Sequence, residues 1–95
     1  AGQVHVDAGA AQVIVHKGAS LLPIGMTDVR GNFDKGECVD VVADGVVIAR
    51  GLCNYNSDDL KRVQGLSSQD MAKTLGYKDF TSVIHRDNLV LKGKR

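Results

Sequence analysis

The stretch Gln3-Val4-His5-Val6-Asp7 alternates apolar and polar residues with period two, the pattern of a half-buried strand. Val4 and Val6 share the inward face and His5 lies opposite, at the surface. Asp7 suits a helix N-cap, because its carboxylate can accept from the free amides of a first turn. A helix over Ala8 to Lys17 puts Ala10, Ala11, Ile14 and Val15 on one side. Lys17 complements the C-terminal end of the helix dipole, and Gly18 supplies a left-handed stop. The β-branched run Val13-Ile14-Val15 works against that helix. Gly18 to Gly25 reads as a loop with an apolar centre, whose glycines can bring backbone amides close to a ligand. It is not a phosphate loop, since no Gly-Lys-Ser/Thr closes it.

Met26 to Arg30 predicts a strand, and Gly31 to Gly36 a turn in which Phe33 plugs the core. Glu37 to Ala43 predicts a strand with Val39, Val41 and Ala43 inward. Asp44-Gly45 is a hairpin turn, because both residues tolerate positive φ. Val46 to Tyr55 returns as one long strand, and Gly51 within it marks a bulge or a barrel corner. Asn56 or Ser57 then caps a short helix over Asp58 to Gln64, with Leu60 and Val63 inward and Gly65 as its stop. Ser67-Ser68-Gln69-Asp70 has the look of a capping box. The second short helix is anchored by Met71, Ala72 and Leu75 and ends at Gly76. Tyr77 to Ser82 is a loop.

Two apolar runs close the chain, Val83-Ile84 and Leu89-Val90-Leu91, and read as a strand that completes a sheet. Between them stand four polar residues, His85-Arg86-Asp87-Asn88. Either the chain kinks there or those residues work. A structural account has Arg86 pairing with Asp87 while the Asn88 side chain satisfies turn backbone. The resulting order is strand, helix, about four strands, two short helices, strand. Short strands, a bulge glycine and no helix long enough for a bundle predict a small, partly closed barrel decorated by helices.

Ninety-five residues make one small domain with a thin core, and 4% aromatic residues make that core aliphatic. No apolar run approaches membrane-spanning length. The chain starts at Ala1 without an initiator Met or a leader, as expected of a domain cut from a longer protein or of a chain whose Met has been removed. Cys38 and Cys53 are the only cysteines, too few for a zinc site; they could form one disulfide, but read first as two buried reduced thiols of a cytosolic domain. The net charge of +1 is unevenly spread: residues 1–60 carry four Lys/Arg against eight Asp/Glu, and residues 61–95 carry eight against three. The basic last third, ending Lys92-Gly93-Lys94-Arg95, is either a solvated surface or a face for an acidic partner such as RNA.

Little here points to catalysis. Asp58-Asp59 stand at a helix start, where negative charge is favoured in any case. Ser57, Ser67 and Ser68 are explained as caps. His85 and Asp87 could exchange a proton, yet a site also needs a nucleophile and a pocket. His85-Arg86-Asp87 imitates a protein-kinase catalytic loop, but that loop needs Asn five residues after its Asp, and position 92 is Lys. Aromatics for stacking on bases are few: Phe33, Tyr55, Tyr77 and Phe80.

Three segments carry a resemblance: Gly18-Ala19-Ser20-Leu21-Leu22-Pro23-Ile24-Gly25, Gly31-Asn32-Phe33-Asp34-Lys35-Gly36-Glu37, and Ile48-Ala49-Arg50-Gly51-Leu52-Cys53-Asn54-Tyr55. They resemble the PUA domain, a mainly β pseudo-barrel with short helices that recurs in RNA-modifying enzymes. The closing Ile84-His85-Arg86-Asp87-Asn88-Leu89-Val90-Leu91 is similar to the C-terminal signature of bacterial glutamate 5-kinases, as is Asp7-Ala8-Gly9-Ala10. The resemblance implies a single PUA domain over residues 1–95, a fragment whose parent's N-terminal amino-acid-kinase domain is absent. It further implies a cytoplasmic, homo-oligomeric parent that phosphorylates the γ-carboxylate of glutamate with ATP in the first step of proline synthesis. ATP, magnesium and glutamate would bind the amino-acid-kinase domain, so no catalytic, cofactor-binding or metal residue is carried onto this chain. The expected partners are that kinase domain or, as the alternative, structured RNA, with no membrane. By analogy with RNA-binding relatives, the contact surface would comprise Lys17, Gly18, Ser20, His85, Arg86 and Lys92.

Overall fold

The computed structural model describes residues 2–76 and 82–92. Its elements run β1 (Gly2–Val6), α1 (Ala8–Lys17), β2 (Met26–Gly31), β3 (Cys38–Ala43), β4 (Val46–Leu52), α2 (Ser57–Val63), α3 (Ser68–Leu75) and β5 (Leu89–Leu91), with 3-10 turns at Pro23–Gly25 and Arg86–Asn88. Three strands, rather than about four, separate α1 from α2. The mainly β architecture with short helices agrees with the sequence expectation.

One sheet orders its strands β2-β1-β3-β4-β5. β1 is antiparallel to β2 and parallel to β3, and the remaining neighbours are antiparallel. Chain that leaves β1 returns through α1 to β2 on one side, then crosses to β3 on the other. Phe33 anchors that crossing: its N–H donates to the Ser57 hydroxyl at 3.1 Å, and its carbonyl accepts from the Ser57 N–H at 3.0 Å. Ser57 is therefore not a cap. It is the first residue of α2, buried, with its hydroxyl turned to the crossing loop, and Asn56 caps the helix instead.

Two bulges curl the sheet. Thr27 is an extra residue in β2 opposite His5/Val6, and Ile48 is an extra residue in β4 opposite Val41/Val42. A bulge increases local twist and re-aims the side chains around it. The second one lets Val41 and Val42 both sink into the protein, while Ala43, expected inward, is only half-buried. Strand β4 stops at Leu52, short of the expected Tyr55, because the Asn54 amide turns away to donate to the Val83 carbonyl at 2.8 Å.

The core is aliphatic, joined by Phe33 and Tyr55. Helix α1 forms with the expected bounds despite its β-branched run. The propensity cost of such residues is below about 0.7 kcal/mol each. Burying Ile14 returns about 1.5–3 kcal/mol. Asp7 accepts from the Ala10 amide at 2.7 Å, and Gly18 closes the other end at φ 62°. The Asp44-Gly45 hairpin has positive φ at both residues, 51° and 76°. Cys38, expected buried, is exposed: it opens β3 one position before inward-facing Val39, so the strand's alternation turns it out. Cys53 is buried, and no disulfide joins the two. The loop expected over Tyr77 to Ser82 lies outside the described residues apart from Ser82, as do Tyr77, Phe80 and the last three residues.

Candidate interaction surface

The closing stretch kinks where the polar quartet stands. Ile84 bridges to Leu21: the Leu21 N–H donates to the Ile84 carbonyl at 2.9 Å, and the Val83 N–H donates to the Leu21 carbonyl at 2.7 Å. The chain then makes one 3-10 turn over Arg86–Asn88 before entering β5. His85 caps this turn, its Nδ1 accepting from the Asp87 amide at 3.1 Å, so the ring proton sits on Nε2 in that arrangement. Asp87 Oδ2 lies 3.5 Å from the same Nδ1. The cap is thus the His85 ring, and Asp87 faces His85 rather than the expected Arg86 partner.

Gly51 is what lets the turn fit. A Cβ there would fall 2.6 Å from the Asn88 carbonyl oxygen and 2.7 Å from Ile84 Cγ2. Gly51, expected to mark a bulge or a barrel corner, is regular in the register, and the bulge lies three residues earlier in β4, at Ile48. Gly51 pairs regularly with Val39 and Leu89 and serves as a close-approach site.

These contacts bring three of the six sequence candidates together. Gly18 turns the chain out of α1, and its N–H donates to the Val13 carbonyl. Two residues on, the Ser20 hydroxyl accepts from the Arg86 amide at 2.8 Å. Between these segments lies a groove of about 160 Å³, walled by Ile14, Gly18 and Ala19 on one side and Arg86, Leu89 and Leu91 on the other. Lys17 is exposed beside Gly18, and His85 is exposed beside Arg86. Lys92 is elsewhere. Its amide continues the ladder from β5 to the Ile48 carbonyl at 2.9 Å, and it lines a separate recess of about 430 Å³ with Arg50, Gly51, Leu52 and Val90. The alternation of β5 explains the separation, because Leu89 and Leu91 line the first groove and Val90 the second.

Sequence reasoning missed Ala19, Leu89 and Leu91 as groove walls. The alternation of Leu89-Val90-Leu91 was the available signal. It also missed Arg50, which the Asp40 carboxylate holds at 2.8 Å across β3 and β4, raising the guanidinium pKa through that hydrogen bond. On β2 the Arg30 guanidinium likewise sits 2.8 Å from Asp28 and lowers the pKa of that carboxyl. Arg86 and Lys17 take part in no ion pair among the described residues. The Arg86 charge is therefore available at the groove, and Lys17 is exposed next to Gly18 in the chain. The groove is open, Arg86 stands in its wall, and the Gly18 and Arg86 amides at its edge are engaged within the protein. Among the described residues, no three His, Cys, Asp or Glu side chains converge as metal ligands would. None of their helices is long and apolar enough to cross a membrane.

The fold has relatives among known proteins. The chain is 49% identical over 92 residues to the glutamate 5-kinase of Trichlorobacter lovleyi, covering 96% of itself and 24% of that protein. It is 50% identical over 93 residues to the glutamate 5-kinase of Teredinibacter turnerae, covering 95% of itself and again 24% of the relative. The chain thus spans about a quarter of the length of the curated relatives it matches. Among solved structures, a PUA domain from Aeropyrum pernix K1 superposes with a TM-score of 0.64 at 24% identity, over 88% of this chain and 41% of that one. That likeness concerns the fold, and it is the pseudo-barrel expected from the sequence. The profile of the PUA domain matches residues 2–75, and with the fold shared as well, the chain belongs to the PUA domain family.

Proposed function

We propose that this PUA domain is the C-terminal accessory module of a glutamate 5-kinase, not catalytic itself, and that it modulates the kinase through contacts between domains. The observation that carries this reading is the near-50% identity to glutamate 5-kinases across almost the whole chain, at about a quarter of their length. The parent enzyme would transfer the γ-phosphate of ATP to the γ-carboxylate of glutamate, opening proline synthesis, as a cytoplasmic homo-oligomer. ATP, magnesium and glutamate belong to the amino-acid-kinase region in this reading, and no residue of residues 1–95 is assigned to them. The candidate contact surface is Lys17, Gly18, Ser20, His85 and Arg86, of which Gly18, Ser20 and Arg86 lie together, and Lys92 belongs to a second patch. The test removes residues 1–95 from the full-length protein and compares glutamate kinetics and the response to proline. A shift in either supports the accessory role. Unchanged kinetics and an unchanged proline response overturn it.

RNA binding is the second reading, favoured by the groove with Arg86 in its wall and Lys17 exposed next to Gly18 in the chain. A surface that tracks phosphates loses affinity steeply as salt rises. Arg86→Ala and Lys17→Ala would each flatten that dependence if the groove holds RNA. Unchanged RNA binding in both variants removes the reading.

A further inference from the structure

We infer that a second groove, on the other side of the Ala19–Ser20 segment, is the seat on which the remainder of the parent protein docks through an uncharged aliphatic surface. This rests on the reading that the chain is one domain of a longer kinase.

The groove holds about 360 Å³ between α1 and the loop that follows it. Three of the protein's exposed large aliphatic side chains gather there: Val13 at 38% exposure, Leu22 at 44% and Ile24 at 60%. Scattered exposed aliphatics need no explanation, but three lining one groove do. Among the described residues, Asp7 is the one charged residue in the lining, and its carboxylate accepts from the Ala10 amide.

The loop that presents Leu22 and Ile24 is fixed along its length. Ser20 is tied to Arg86 and Leu21 to Ile84, while Pro23 accepts from the Gly65 amide at 2.9 Å and Gly25 from the Asp7 amide at 3.0 Å. Gly25 presses on the helix so closely that a Cβ would fall 2.5 Å from that of Ala10. Leu21, Pro23 and Gly25 are buried, and Leu22 and Ile24 between them point out. A pinned segment with alternate aliphatics outward loses little conformational freedom on association.

The occupant follows from chemistry and length. RNA would bring phosphates to a groove that offers no cation among the described residues. The recess beside Lys92 has an apolar floor too, but Arg50, Asp87 and Lys92 line it, as suits a hydrated surface. The relatives are about four times as long as this chain, so most of such a parent folds next to it. Interfaces that never separate are the more hydrophobic ones.

Maleimide labelling of the full-length protein tests this, with mass spectrometry locating each label. Ile24→Cys is compared with Val46→Cys and Val90→Cys, whose native side chains are 61% and 69% exposed. Docking predicts that position 24 reacts at least about tenfold more slowly than both controls, as buried thiols do. It also predicts that adding Leu22→Lys restores the rate. Equal rates at the three positions, in a protein that consumes ATP in a glutamate-dependent way, overturn the docking seat and leave the parent reading intact. A native protein of 10.1 kDa without that activity overturns both. Slow labelling that disappears on dilution assigns the groove to a second copy, and slow labelling that disappears with ribonuclease assigns it to RNA. Either result overturns the inference.

Discussion

The hydroxyl of Ser20 accepts a hydrogen bond at 2.8 Å from the backbone amide of Arg86, 66 positions further along the chain. With the Leu21–Ile84 bridge beside it, this bond joins the loop after the first helix to the kink before the last strand. Both grooves share that seam. Ser20→Ala removes the acceptor and should cost about 1 kcal/mol of stability. Faster hydrogen exchange at the Arg86 amide is the specific readout. An unchanged rate there would mean that the Ser20 hydroxyl does not protect the Arg86 amide, contrary to the bond described.

Gly51 sits under the same kink. Gly51→Ala places a methyl against the Asn88 carbonyl and Ile84, and overpacking of this kind costs roughly 1–3 kcal/mol. The denaturation midpoint should fall by a corresponding amount. Gly36→Ala is a useful contrast: it has open space around it but a φ of 90°, so its cost is backbone strain alone.

The two cysteines should differ sharply. Cys38 is exposed, whereas burial pushes the Cys53 thiol up to about 11. A thiol reagent near neutral pH should label Cys38 first and reach Cys53 only on unfolding. Comparable rates at both sites would contradict the burial.

The same shift gives a pH dependence with a definite sign. The folded thiol holds its proton more tightly than the unfolded one, so the unfolded state ionises first as pH rises. The contribution to stability is complete below the unfolded value, near 9, and is lost as pH rises toward about 11. Cys53→Ala should remove this component, seen as a shallower decline in stability over that window than in the wild type.

Much of the fold is legible along the chain because its signals are local. The Asp7 cap, the Gly18 and Gly76 stops and the Asp44-Gly45 hairpin each depend on a few neighbouring residues. What was not legible depends on distant partners. Ser57 looks like a cap by position, but Phe33, 24 residues away, recruits its hydroxyl. Gly51 looks like a bulge, but the approach of Asn88 is what requires a glycine there. The polar quartet looked either structural or functional. His85 and Asp87 form the turn, while Arg86 combines a backbone tie to Ser20 with an exposed side chain. Lys92 could not be separated from Arg86 by sequence, because only the pairing of β5 with β4 shows which side each takes.

The central claim is that this PUA domain is one part of a larger kinase. An immunoblot of a cell extract, raised against residues 1–95, tests it most directly. The account predicts a band far above 10.1 kDa, in a protein that consumes ATP when glutamate is added. A single band at 10.1 kDa would contradict it and make RNA the first ligand to test.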